Sequence, residues 1–150
     1  MYIVKAADRD GIELRFASRP EVAYKGTSRL GLKRATKHLV DRIHNHLKHF
    51  KAGACNMEHS LNTVIKEVVR HGGPTSITVF TDGIWQHGAT GPGGGVEGTV
   101  KSLVRDMQQR GMWRPEVTIQ FVRFGSDPIG IKRLRYLDDD LKNEPGMSGL

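Results

Sequence analysis

Apolar residues recur along this chain with two different periods. Ile12, Leu14 and Phe16 alternate with Glu13, Arg15 and Ala17, the two-residue period of a strand with one side against a core. Joined to the apolar-leaning run before it by a turn ending in Asp10-Gly11, this segment predicts a β-hairpin over residues 2–18. After Pro20, "EVAYKGTSRLG" reads as a loop. From Leu32 the period changes. Leu32, Ala35, Leu39, Ile43, Leu47 and Phe50 step by three or four residues, which predicts an amphipathic helix with a basic outer face, ended by Gly53. A second helix is expected from about Met57 to Arg70, with Leu61, Val64, Ile65 and Val68 inward and Gly72-Gly73-Pro74 as its stop.

The stretch "SITVFTDGIWQ", residues 76–86, reads as a core strand of a parallel sheet closed by Asp82-Gly83. A carboxylate at the carboxyl end of such a strand sits where open α/β sheets bind their ligands. Asp-Gly is equally the chemistry of a plain turn, so both roles stand for Asp82. Residues 87–95, "HGATGPGGG", have five glycines in nine positions and read as a flexible loop. A helix starts near Val96, where Glu97 suits the positive end of the helix dipole. "EVTIQFVRFG" follows as a strand through Val117, Ile119, Phe121 and Phe124, then a last helix from about Pro128 to Leu141. Helices between successive strands predict an α/β fold, an open three-layer sheet that is mainly parallel, with the hairpin as an antiparallel edge. One domain over residues 1–142 is expected, with 143–150 as a flexible tail.

At 150 residues and 37% hydrophobic content the chain has material for a modest core. No apolar run approaches the roughly 20 residues that span a bilayer, and the start has no basic stretch followed by an apolar one. The expectation is therefore an intracellular protein, cytoplasmic or otherwise, with no membrane partner. A single cysteine, Cys55, excludes an internal disulfide. The net charge of +7 and pI of about 9.8 permit attraction to polyanions. Lys and Arg are spread from Lys5 to Lys142, however, which favours solvated helix faces over a nucleic-acid footprint. Polyanion or nucleic-acid binding by the basic helix from Lys33 to Lys51 stays as an alternative.

Taken in order, the segments resemble a von Willebrand factor type A (vWA) domain of the fungal intracellular type. The resemblance rests on "DRDGIELRF", on a "GTSRLG" loop leading into a long helix, on "ITVFTDG", on "VTIQFVRFG" and on "DPIGIKRLRYLDDDL", and covers residues 1–142. It implies a three-layer, Rossmann-like fold and a protein-binding role. It further implies Mg²⁺ at the carboxyl edge of the sheet, in a metal-ion-dependent adhesion site whose coordination a partner's acidic group completes. Asp82 matches the family's aspartate after its fourth strand. The hydroxyl of the second loop falls on Thr27 or Ser28: counting three back from Gly31 selects Ser28, whereas Thr27 has the usual side chain. The family's Asp-x-Ser-x-Ser motif does not occur in this chain. The implied domain thus lacks its central first strand, reads as truncated at its amino end, and has an incomplete metal site with too few ligands to hold the ion firmly.

Other motifs fall short of chemistry. Asp8-Arg9-Asp10-Gly11 resembles the nucleophile motif of haloacid-dehalogenase-type phosphatases, with Asp138, Asp139 and Asp140 as metal carboxylates and Thr81 on phosphate. The preceding run contains Lys5 and two alanines, though, and the acidic run falls within a helix pattern. Gly93 to Gly98 satisfies G-x-G-x-x-G in form, but it does not follow its strand directly, and Glu97 would repel a pyrophosphate. His38, His44, His46 and His49 share one helix with neighbouring lysines and no accompanying carboxylate pair, so exposed histidines are expected rather than a zinc site. Two roles stand for Trp85, lining a partner-binding surface or, the favoured one, packing under the glycine loop, and Trp113 is expected at a helix-to-strand corner. No nucleophile is paired with a base, and the chain reads as a binding module rather than an enzyme.

Overall fold

The alternation around Leu14 becomes strand β1 (Ile12–Phe16), which pairs antiparallel with β2 (Arg19–Gly26) across Ala17-Ser18. The computed structural model describes residues 12–26, 32–49, 56–85, 95–111 and 117–147. Residues 21–26 of the stretch expected as a loop after Pro20 are strand, and the rest of that stretch lies outside the described residues. Val22 and Tyr24 repeat the two-residue period of β1, and proline is tolerated where a strand begins or lies at an edge. The register shows what the proline does. Leu14 faces Tyr24 and Phe16 faces Arg19, so the register shifts between them, and Pro20, which has no N–H to give to a ladder, falls in that irregular stretch. The run expected to pair with β1, and its Asp10-Gly11 turn, lie outside the described residues.

Glu13 meets Lys25 across the hairpin at 2.8 Å and Arg15 of its own strand at 3.1 Å. Lys25 first, then Arg15, holds the Glu13 carboxyl below its ordinary range, although partial burial opposes them. Helix α1 (Leu32–His49) packs on β2. Leu39 is buried, and Thr36, Ile43 and His46 are half-buried. His46 departs from the expectation of exposure: its ring stacks on Phe16 with centroids 3.6 Å apart, and its Nε2 is hydrogen-bonded with Ser18 Oγ at 3.1 Å. Being on the same helical side as Leu39 and Ile43, it fills the apolar stripe where an aliphatic residue would stand. His38, His44 and His49 are exposed.

The chain divides into two compact units, Met1–Ala54 and Cys55–Leu150. The second begins with α2 (Met57–His71), capped by Asn56, whose side chain accepts from His59 N, and closed by Gly72, whose N–H donates to Val68 O. Strand β3 (Thr75–Thr81), helix α3 (Gly95–Gln109) and strand β4 (Val117–Arg123) follow, with β3 and β4 parallel and in register from Thr75↔Val117 to Thr81↔Arg123. Helix α4 (Pro128–Arg135) runs on through a wider π-type turn at Tyr136–Asp140 and a tight turn at Leu141–Asn143. The described residues thus make a mixed α/β structure with four helices and two small sheets, one antiparallel and one parallel.

The buried apolar residues described in this unit are Met57, Leu61 and Ile65 from α2, Trp85 just after β3, Val96, Val100 and Leu103 from α3, then Leu141 and Met147. The expectation of a core strand at β3 needs correcting. Ile77 and Val79 are only half-buried, as are their partners Ile119 and Phe121, while Ser76, Thr78, Phe80, Thr118 and Gln120 are exposed. "SITVFT" alternates polar with apolar up to Phe80, the pattern of a strand covered on one face. The carboxyl terminus differs from a tail that frays after Lys142. Met147 is fully buried and its N–H donates to Glu144 O, so two apolar anchors, at 141 and 147, hold the turn between them.

Candidate functional site

The carboxyl ends of β3 and β4 form a rim built by local hydrogen bonds. Thr81 Oγ1 accepts from Gly83 N at 3.0 Å, and Asp82 Oδ1 accepts from Ile84 N at 2.9 Å, an Asx turn in which the side chain replaces a backbone acceptor. Phe124 N donates to Thr81 O at 2.8 Å and so carries the pairing one residue past β4. Gly83 has φ +79°, where a side chain would be strained. Space forbids one as well: a Cβ there would stand 2.7 Å from the Cα of Gly130, and one on Gly130 would overlap the Asp82 carbonyl oxygen. The β3 turn and the first turn of α4 therefore touch backbone to backbone.

From the other side, Asp127 Oδ1 caps α4 by accepting from Ile129 N at 2.8 Å and Gly130 N at 3.3 Å. Arg133 donates to Gly83 O at 3.1 Å and lays its guanidinium 4.9 Å above the ring of Trp85. Trp85 is buried, and the glycine loop under which it is expected to pack lies outside the described residues. On this frame sit four large apolar side chains that face water: Phe80 (64% exposed), Ile84 (45%), Phe124 (58%) and Ile129 (65%). The rings of Phe80 and Phe124 stack with centroids 5.9 Å apart. The two rings form one exposed apolar surface, and Ile84 and Ile129 stand exposed on the two segments that meet at the glycine contact.

Asp82 lies exposed within this rim. Its Oδ1 serves the turn, and Oδ2 has no hydrogen-bond partner among the described residues. Thr27 and Ser28, the other two residues expected to meet the cation, lie outside the described residues. Among those described, no group of three or more His, Cys, Asp or Glu side chains is gathered to hold a metal ion. Of the phosphatase motif, Asp8 and Asp10 are likewise outside. Asp138, Asp139 and Asp140 are exposed on the π-type turn, and the Thr81 hydroxyl is engaged by Gly83. No described helix is long and apolar enough to cross a membrane.

A second polar cluster has no forerunner in the sequence reading. Lys101 of α3, with its side chain 4% exposed, meets Glu144 at 2.5 Å, and the Tyr136 hydroxyl donates to the other carboxylate oxygen. The Lys101 contact, followed by that of Tyr136, holds Glu144 below its ordinary carboxylate value. Glu144 in turn raises both Lys101 and Tyr136, burial working against the shift of the lysine and with that of the tyrosine. This cluster fastens the carboxyl-terminal turn to α3; only the three-dimensional fold pairs residues so far apart in the chain. No protein-family model, curated protein or solved structure matches the chain.

Proposed function

We propose that the chain is a protein-binding module of the von Willebrand A type, with the carboxyl rim of β3 and β4 as its docking surface. One observation carries this reading: Phe80, Ile84, Phe124 and Ile129 stand exposed around a carboxylate on a frame locked by Gly83 and Gly130. A rigid scaffold that offers apolar anchors beside one charge has the composition of an interface centre. The parallel β3-α3-β4 unit with Asp82 at its carboxyl end supports the family assignment. Asp82 then marks a degenerate adhesion site, in which Mg²⁺ is held weakly and a partner's acidic group supplies the missing ligand. No catalytic step is assigned.

Affinity capture from a cell extract, with the full chain as bait, tests the rim. Wild type should enrich a set of proteins that both Asp82→Ala and the double variant Phe80→Ser/Phe124→Ser lose, with chelation of Mg²⁺ weakening capture less than either substitution does. Capture unchanged by both variants would remove the rim from the function.

A further inference from the structure

Strand β3 has a second side besides the one that meets β4. We infer that this outer edge joins two copies of the chain, as an antiparallel strand pair centred on Thr78. The bond from Phe124 N to Thr81 O, with Thr81 in register with Arg123, fixes which way the backbone groups of β3 point. Thr81, and with it Val79, Ile77 and Thr75, turns its N–H and C=O toward β4. Those of Ser76, Thr78 and Phe80 therefore point away from it. Among the described residues no strand pairs with that side.

An open edge of this kind is a template for another chain, and sheets normally guard theirs with charges, prolines or bulges. The hairpin does so, with Glu13 and Arg15 on β1, Arg19, Pro20, Glu21 and Lys25 on β2, and a shift in register between the two. Strand β4 ends in an exposed Arg123. Strand β3 has no charge and no proline, and its register with β4 is unbroken over all 7 residues.

Charge and register select the occupant. The chain carries a net charge of +7, so two copies repel unless they meet where neither presents a charge, and β3 is such a place. A foreign acidic strand drawn by the net charge would find no cation along β3 to pair with. A helix laid on the exposed face of the sheet would need an apolar stripe there, and Ser76, Thr78, Thr118 and Gln120 make that face largely polar. A second β3, antiparallel about a twofold axis at Thr78, fits throughout. Thr78 faces its own counterpart, Ser76 faces Phe80 and Ile77 faces Val79, so hydroxyl meets hydroxyl, apolar meets apolar and no like charges oppose. Each of the three outward residues exchanges both its backbone groups with the other copy. The same patch is used on both copies, so assembly closes at two. Three residues exchanged on each side bury less than the roughly 800 Å² per partner of a standard interface, and the association is accordingly weak.

Sedimentation equilibrium of the full chain, from about 10 to about 500 µM, tests this. The mass should rise with concentration toward twice the 16.7 kDa of one chain and stop there. Thr78→Lys sets two added positive charges face to face on the axis and should weaken the dimer about five-fold, as should Thr78→Glu with two negative ones. An equimolar mixture of these two variants should regain wild-type association or better, because opposite charges then meet. Thr118→Lys adds the same charge to the same exposed face, but on β4 and away from the axis. It should stay within about two-fold of wild type, with circular dichroism reporting that all variants fold. A chain that stays monomeric at the highest concentration would overturn the inference and leave the edge to a strand of another protein. So would masses climbing past two copies, a variant mixture no tighter than either variant alone, or a loss in Thr118→Lys equal to that in Thr78→Lys.

Discussion

Helices α1 and α3 carry the same device in sequence, an apolar stripe with lysines beside it, and the fold treats their lysines in opposite ways. On α3, Lys101 is taken into the core and neutralised by Glu144, with Tyr136 closing the cluster. On α1, Lys37 and Lys48 stay in water and form no ion pair among the described residues. The difference follows from what covers each helix. Val96, Val100 and Leu103 bury α3 deeply enough that a flanking lysine is covered with them, and a covered charge needs a counter-charge. A single buried apolar residue, Leu39, marks the described part of the α1 stripe, and Leu47 farther along is 62% exposed. Depth of burial, rather than the pattern of charges, decides whether a lysine becomes internal structure or external surface.

The sharpest way to break the comparison is to empty the two stripes. Leu103→Ala should lower the unfolding free energy of its unit by about 3 kcal/mol, whereas Ile43→Ala, half-buried, should cost about 1 kcal/mol. Chemical denaturation of both variants checks the ratio, and equal costs would mean that α1 is packed as tightly as α3.

Next in size is the acid response of the buried pair. Glu144 is held below its ordinary value of 4.5, by Lys101 first. A carboxyl depressed in the folded state stabilises it above about pH 4.5, and that contribution fades as pH falls through the lower folded value. Wild type should therefore lose denaturant resistance below pH 4.5 more steeply than Glu144→Gln, and the two curves should converge at the acid end. On the alkaline side the sign reverses. Lys101 is raised above 10.5 by Glu144, so its contribution is whole below that pH and declines as pH climbs through the raised value. The smallest effect belongs to the open face. Lys37→Ala and Lys48→Ala should each change stability by no more than about 0.5 kcal/mol, read in the same denaturation experiment.

Much of this architecture was legible from periodicity alone. The helices at 32–49, 57–71 and 95–109 and the strands at 75–81 and 117–123 follow directly from steps of three to four or of two residues. Strand β2 was hidden because Pro20 punctuates the chain as a loop would, while the alternation of Val22 and Tyr24 is too short to outweigh it. The exposure of Phe80 was written in the Ser76, Thr78 alternation, but the apolar run Val79-Phe80 obscured it. At the rim, Asp82-Gly83 announced its turn. The contact of Gly83 with Gly130 had no local sign, because a glycine inside "DPIGIK" looks like a tolerated helix residue until another backbone is found against it. The Lys101 and Glu144 pair was illegible for a different reason. In a chain with 23 basic and 16 acidic residues, nothing in the composition says which two will be driven together by burial.

The close approach of Gly83 and Gly130 also sets what the rim is free to vary. Neither glycine can accept even a methyl group without pushing the other segment away, so the two pieces of main chain behave as a welded joint. Variation on this edge of the sheet is then left to the protruding residues at 80, 84, 124 and 129.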